Sequence, residues 1–418
     1  MESKNNTFKS KVIDVSKNNV LLRKIIRKLM DIKRKTAMKM HTIGIKIDDK
    51  TIFFSSFQGR EYACSPKSIY EYMISTDKYK DYKYIWSFKE PEKYSFLTKN
   101  KNTKVVKQRS KEFEQGLAKS KYWIVNSILD VYIKPKKNQV YVQCWHGTPL
   151  KKLGCDLKNT VNAMNSEEEI HKRYIQEAKR FNFFISPSKF ATEKFTSAWN
   201  LKMLGKESCF IEEGYPRNDF LYNFKTEDVI KVKEKLNIPS GKKVILYAPT
   251  WRDNQHNSNM GYTYKTEVNF DLLKEKLQND YIILFRAHYL VANSFDFEKY
   301  KGFIYDVSRV DDINDLYIIS DMLITDYSSV FFDYANLKRP IVFYMYDFEE
   351  YRDELRGFYI DIKELPGKIT KTETELIEAI DNTKEFIYDE KYRKFNEKFN
   401  YLDDGQAAKR VVEKLIKC

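Results

Sequence analysis

The chain is poor in the residues that staple or metallate proteins. Its 418 residues hold five cysteines, Cys64, Cys144, Cys155, Cys209 and Cys418, an odd number with no C-x-x-C spacing. A disulfide framework and a zinc site are therefore not expected, and a reducing compartment is the simpler setting. No run of ~18 apolar residues occurs, so no helix is expected to cross a bilayer. Met1 to Val20 is polar and lacks the apolar stretch of a signal peptide. The expectation is that the protein stays in the compartment where it is made. Neither a GxxxxGK[ST] nor a GxGxxG loop is present, which argues against P-loop NTPases and simple dinucleotide binders. There is no internal repeat and no low-complexity tract.

Apolar mass and positive charge are abundant. Hydrophobic residues are 42% of the chain and aromatics 15%, enough for sizeable cores and against global disorder. The length suggests two domains at ~100–200 residues each. Lys and Arg number 74 against 59 Asp and Glu, a net charge of +15. An anionic partner follows: nucleic acid, an acidic membrane or a phosphorylated substrate.

Leu21 to Lys35 reads LLRKIIRKLMDIKRK. On a helix, Leu21, Leu22, Ile25, Ile26, Leu29 and Met30 share one half of the circumference. Arg23, Lys24, Arg27, Lys28, Arg34 and Lys35 share the other. Such a helix suits the headgroup layer of an anionic membrane. It equally suits a surface helix docked on the protein's own core with a solvated basic face.

From Thr51 onward, short apolar runs alternate with amphipathic stretches. Strands are predicted at Ile52–Phe57, Tyr82–Ser87, Val105–Lys107, Tyr122–Val125, Val140–Trp145, Phe183–Ser186 and Cys209–Glu212. After a polar stretch from Asn218 to Lys243 they resume at Val244–Ala248, Ile282–Phe285, Phe303–Tyr305, Met322–Thr325 and Ile341–Tyr344. Helices are predicted from Ser65-Pro66 (Ser as N-cap) and over Ser110–Ser120, Ser166–Lys179 and Lys189–Trp199. The fold class is α/β: two doubly wound, parallel-sheet units facing across a cleft. The divisions are residues 1–45, a basic amphipathic segment; 46–220, a first Rossmann-like domain; and 221–418, a second, whose last helices can pack back on the first.

The unusual polar clusters all follow strands. They are Trp145 to Lys152 (WHGTPLKK), Gly214-Tyr215-Pro216-Arg217, Pro249-Thr250-Trp251-Arg252, Arg286-Ala287-His288 and Asp326-Tyr327-Ser328-Ser329, the last opening a helix with Asp333. In a parallel sheet these ends share one edge and can converge. Unpaired N–H groups at a helix start, with the Ser328 and Ser329 hydroxyls, make a phosphate site; the plain alternative is a capping serine. His146 is one of only five histidines and can take a proton from a hydroxyl; the alternative is a hydrogen-bonded structural histidine. His288 beside Arg286 reads as a phosphate donor, with Arg217 and Arg252 as forked contacts; surface ion pairs are the alternative. Asp306, Asp311, Asp312 and Asp315 form an acidic run that reads as helix capping, so no metal site is expected.

WHGTPLKKLG (Trp145–Gly154), YAPTWRDN (Tyr247–Asn254), FRAH (Phe285–His288) and SDMLITDYSSVFFDYANLKRPIVFY (Ser320–Tyr344) resemble the CDP-glycerol glycerophosphotransferases of Gram-positive teichoic acid synthesis. Phe53–Met73 resembles that family's N-terminal sheet region. The likeness runs from about Thr51 to Asp361. It implies a GT-B architecture, a first domain on the acceptor side and a second that binds CDP-glycerol. The enzyme would sit peripherally at the cytoplasmic face of the membrane, with an anionic surface, a lipid-linked acceptor and other wall-polymer enzymes as partners. A hydroxyl of the acceptor attacks the β-phosphorus and CMP leaves, with no cofactor and no metal.

The resemblance makes His146 the general-base candidate and puts His288 with it as catalytic. It gives Gly147, Thr148, Pro149, Leu150, Arg217, Thr250, Arg252, Arg286, Asp326, Ser328, Ser329 and Asp333 substrate-binding roles, and Gln58 and Gly59 the acceptor side. The chain is similar to the shorter members, which add one or a few units. CDP-ribitol, a capsule polymer or a nucleotide-sugar stay open as substrates. Nucleic acid is disfavoured, since no RNP, zinc-finger or bZIP pattern is present.

Overall fold

The apolar runs do become two parallel sheets. The computed structural model describes residues 20–158, 166–250, 256–257, 261–262, 268–287, 295–350 and 357–416. The first sheet contains β1 (Asp48–Ser55), β2 (Lys83–Phe88), β3 (Thr103–Lys107), β4 (Ser120–Val125), β5 (Val140–Gln143), β6 (Phe183–Ser186) and β7 (Phe210–Glu212). Their spatial order is 3-2-1-4-5-6-7. The second contains β8 (Lys243–Ala248), β9 (Tyr281–Phe285), β10 (Ile304–Asp306), β11 (Met322–Thr325), β12 (Ile341–Tyr344) and β13 (Lys368–Thr370). Its order is β10-β9-β8-β11-β12-β13, so both sheets reverse direction beside their first strand. Ligands of such sheets bind at that crevice, off the strand C-termini.

The strands are nearly continuous in buried apolar residues because helices cover both faces. Ile52, Phe54, Trp86 and Val142 face one core; Phe53, Trp123, Tyr141 and Phe184 face the other. Serines start the helices as expected. Ser110 caps Lys111–Lys119, Ser166 closes a capping box on Glu167–Ala178, and Ser188 caps Lys189–Ala198. One start differs: the helix after β1 runs Cys64–Ile74 with Ala63 at its N-cap, so Ser65 lies inside the first turn. The acidic run caps a helix, since Asp312 Oδ1 accepts from Asn314 N at 3.1 Å at the start of Ile313–Ile319.

The polar stretch after Asn218 is helical, as Asp219–Asn223 and Thr226–Lys235. The chain crosses between the sheets more than once. Leu150 is buried in the core of the second sheet, and Lys151 forms a β-bridge with Phe358. In return, the last helix (Ala407–Leu415) sends Val411, Val412 and Leu415 into the core of the first. Gly214 makes this return path possible. Its φ is +87°, and a Cβ there would lie 2.6 Å from the Leu402 carbonyl oxygen.

Among the described residues no helix is long and apolar enough to cross a membrane. The N-terminal helix spans Val20–Thr42 and docks through Met38 and His41, whose Nδ1 lies 2.6 Å from Glu114 Oε2. Several of its apolar side chains are left uncovered. Ile25, Leu29, Met30, Ile32 and Met40 are exposed, Leu29 by 61% and Met40 by 62%.

Candidate active site

β1 stops at Ser55 because the next residues turn left-handed: Phe57 has φ +46°, Gln58 +57° and Gly59 +78°. Asn126, just past β4, holds this turn, its Oδ1 accepting from Phe57 N at 2.7 Å. The same residue holds His146, whose Nδ1 lies 2.7 Å from the Asn126 carbonyl oxygen. A carbonyl oxygen can only accept, so Nδ1 carries the hydrogen and Nε2 keeps its lone pair. Trp145, at φ +49°, turns the chain out of β5, and its ring centroid lies 4.2 Å from the imidazole. Desolvation within the cleft, then the charges of Arg217 and Arg60, lower the His146 pKa to about 4, against the raising contact with Asn126. The residue keeps an exposed side, which moderates the desolvation. In either case the imidazole is neutral at neutral pH.

A cavity of about 170 Å³ opens beside this ring. His146, Glu61, Cys64 and Arg217 line it from the first sheet, and Arg286, Ser329 and Asp333 from the second. Arg286 ends β9 and is steadied by the Val310 and Val307 carbonyls, which accept from Nη1 at 2.7 and 3.3 Å. Ser329 comes from the turn after β11. A Cβ on Gly147 would lie 2.8 Å from its Oγ, so Gly147 admits the facing domain. A larger opening of about 650 Å³ adjoins through Asp311 and Asp312 and includes none of the predicted site residues.

Several predicted contacts have other partners. Arg217 Nη2 donates to Asp333 Oδ1 at 2.7 Å, so these two bind each other as a buried ion pair. Arg217 also lies over the Tyr215 ring, and its Nε is buried without a hydrogen-bond partner. Asp326 Oδ1 accepts from Thr250 N at 2.8 Å and Tyr327 N at 2.5 Å, tying the ends of β8 and β11. Thr148, Pro149 and Leu150 are buried, and Leu150 lies in the second core rather than in the cleft. The helix after Ser329 is only Val330–Tyr334, and no side chain caps it. A five-residue helix is a weak dipole, so a phosphate contact here rests on the Ser328 and Ser329 hydroxyls. Gln58 and Gly59 sit in the β1 turn, where Gln58 Nε2 donates to Ile128 O at 3.3 Å. Arg252 and His288 lie outside the described residues.

Glu61 was not anticipated. Burial, then the neighbouring Asp311 and Asp312, raise its pKa to about 7 against the opposing charges of Arg286 and Arg60. Its only signal in sequence is a place three residues after Gln58. Backbone strain marks the same region. Eight non-glycine residues have positive φ among those described. None of Asn200, Asn237 and Lys338 lines the cavity, while Phe57, Gln58, Arg109 and Trp145 follow strand C-termini of the first sheet and Cys64 opens the helix after β1.

Two doubly wound parallel sheets meeting at such a cavity define a GT-B-type transferase, and the fold matches a solved one closely. The chain belongs to the CDP-glycerol:poly(glycerophosphate) glycerophosphotransferase family, whose model matches residues 36–417. It is 44% identical over 372 residues to a teichoic acid poly(glycerol phosphate) polymerase of Bacillus spizizenii, covering 88% of this chain and 92% of that one. A teichoic acid glycerol-phosphate transferase of Staphylococcus aureus is 37% identical over 403 residues, 95% of this chain and 100% of that one. The solved wall teichoic acid polymerase TagF superposes with a TM-score of 0.81 at 36% identity, covering 94% of this chain and 97% of that one. Relatives covered over nearly their whole length are named both a polymerase and a glycerol-phosphate transferase, so length alone does not fix how many units are added.

Proposed function

We propose that this glycerophosphotransferase moves glycerol phosphate from CDP-glycerol to a hydroxyl of a lipid-linked teichoic acid acceptor, with His146 as general base. The observation that carries the reading is the His146 imidazole, fixed at Nδ1 by Asn126 and bare at Nε2, in a cavity completed by Arg286 and Ser329 of the facing domain. The acceptor hydroxyl gives its proton to Nε2. Its oxygen bonds to the β-phosphorus, the phosphoanhydride bond breaks, and CMP leaves with the electron pair. Arg286 and the Ser328 and Ser329 hydroxyls would neutralise and orient the pyrophosphate, which is most of what phosphoryl transfer asks of a protein. On this account the reaction needs no metal. Arg217 and Asp333 brace the cavity from both sides.

The exposed apolar side of Val20–Thr42, flanked by Lys28, Lys35 and Lys39, would hold the enzyme peripherally at an anionic membrane surface. That places the cleft near a lipid-linked substrate. The test is mass spectrometry of the lipid product after incubation with CDP-glycerol and acceptor. Gain of glycerol phosphate with equal release of CMP is expected. Transfer from CDP-ribitol or a nucleotide-sugar, with none from CDP-glycerol, would overturn the reading.

A further inference from the structure

A further cavity, of about 280 Å³, lies on the first-domain side of the same loops. Gln58, Lys89, Gln108, Arg109 and Asp130 contribute its polar lining. We propose that it binds a phosphodiester group of the acceptor, one that has already been transferred and does not react. The inference rests on the glycerophosphotransferase reading and adds a substrate subsite to it.

Three observations carry it. The first is charge. Among the described residues Lys89 has no carboxylate partner, and the charged neighbours acting on it are the cations Arg60 and Arg109. Arg109 is aligned by Asp130, which accepts from Nε at 3.0 Å and Nη2 at 3.1 Å. Two lining cations, Lys89 and Arg109, against the one carboxylate of Asp130 leave a surplus positive charge that a phosphodiester would neutralise. Desolvation first, then Arg60 and Arg109, lower the Lys89 pKa, in keeping with cations gathered at a cost. Gln108 adds a donor. Its Oε1 is occupied by the Ser87 hydroxyl, so its NH2 is the group left to bind an anion.

The second is strain. Gln58 and Arg109 both hold left-handed backbones, at φ +57° and +64°. Such conformations cost ~1 kcal/mol or more and collect where geometry serves a ligand.

The third is position. The cavity wall includes Ile128 and Leu129, two and three residues after Asn126, the residue whose carbonyl fixes His146. The same loop reaches the end of the N-terminal helix, since Lys136 Nζ donates to Ile45 O at 2.8 Å. The cavity wall thus shares one loop with the residue that fixes the base and with the chain leaving the N-terminal helix.

The test uses the full chain and two lipid-linked acceptors, one ending in a glycerol phosphate unit and one with no such unit. Lys89 is exposed, so Lys89→Gln should fold normally. Its KM for the phosphate-bearing acceptor should rise about tenfold, which is ~1.4 kcal/mol. The KM for CDP-glycerol and kcat should stay within about twofold. Lys89→Arg should recover most of the loss, and the phosphate-free acceptor should show no difference between variant and wild type. An unchanged acceptor KM, or an equal loss with the phosphate-free acceptor, would overturn the subsite. A matching loss of binding to anionic vesicles would assign the anion to a lipid headgroup and also overturn it. A wild-type chain inactive on both acceptors would instead bring down the underlying reading.

Discussion

His146 owes its chemistry to one carbonyl. Asn126 O fixes the tautomer, and desolvation with Arg217 and Arg60 keeps the ring neutral. A base must be unprotonated, so a lowered pKa extends activity downward in pH. The acid limb of kcat/KM should fall well below 6.5, towards about 4, and a limb at or above 6.5 would contradict that environment. Arg217 and Asp333 make a different prediction. Removing one partner of a buried pair strands the other charge, so Asp333→Ala should lose ~3–5 kcal/mol of stability in denaturant unfolding. A change under ~1 kcal/mol would mean the pair is solvated and open to ligand. At this scale the sequence was partly legible. His146, Arg286 and Ser329 stood out as polar residues after apolar strands, and they share one cavity. Leu150 and Asp326 belonged to the same clusters but face a core or tie strands, because adjacency in sequence does not say which way a loop residue points. Glu61 left little signal beyond its place after Gln58, since its raised pKa comes from burial and then from Asp311 and Asp312, some 250 positions away.

Strands carried the legible part of the fold. All twelve predicted strands are present, because buried parallel strands read as continuous apolar runs. β13 (Lys-Ile-Thr) was missed: three residues at a sheet edge with one apolar position give no pattern. Strand ends were placed too late at Phe57 and Trp145, where apolar residues continue into left-handed turns. Those turns bring the loops of both domains together, as at Gly147 and Ser329. Gly147→Ala should therefore leave the melting temperature nearly unchanged, displace the Ser329 hydroxyl and raise the KM for CDP-glycerol. In a Ser329→Gly background the same substitution should add little. An equal penalty in both backgrounds would show that the clash is not what matters.

The whole molecule is two sheets whose chain crosses over at Leu150 and again at Val411, so the cleft is closed by covalent continuity as well as packing. The basic helix was legible as amphipathic, but sequence could not decide between membrane and core, since both bury an apolar face. The structure leaves Ile25, Leu29 and Ile32 uncovered. Replacing all three with Asp should lower binding to anionic vesicles more than ~tenfold, as each inserted side chain contributes ~1.5–3 kcal/mol. Unchanged sedimentation would place attachment elsewhere.

The most direct test of the central claim is the single-turnover rate of CMP formation in the His146→Ala chain, with donor and acceptor both saturating. The account predicts a fall of ~10²–10⁴-fold with CDP-glycerol still bound at wild-type affinity. A wild-type rate in that variant would show that the hydroxyl loses its proton to some other group.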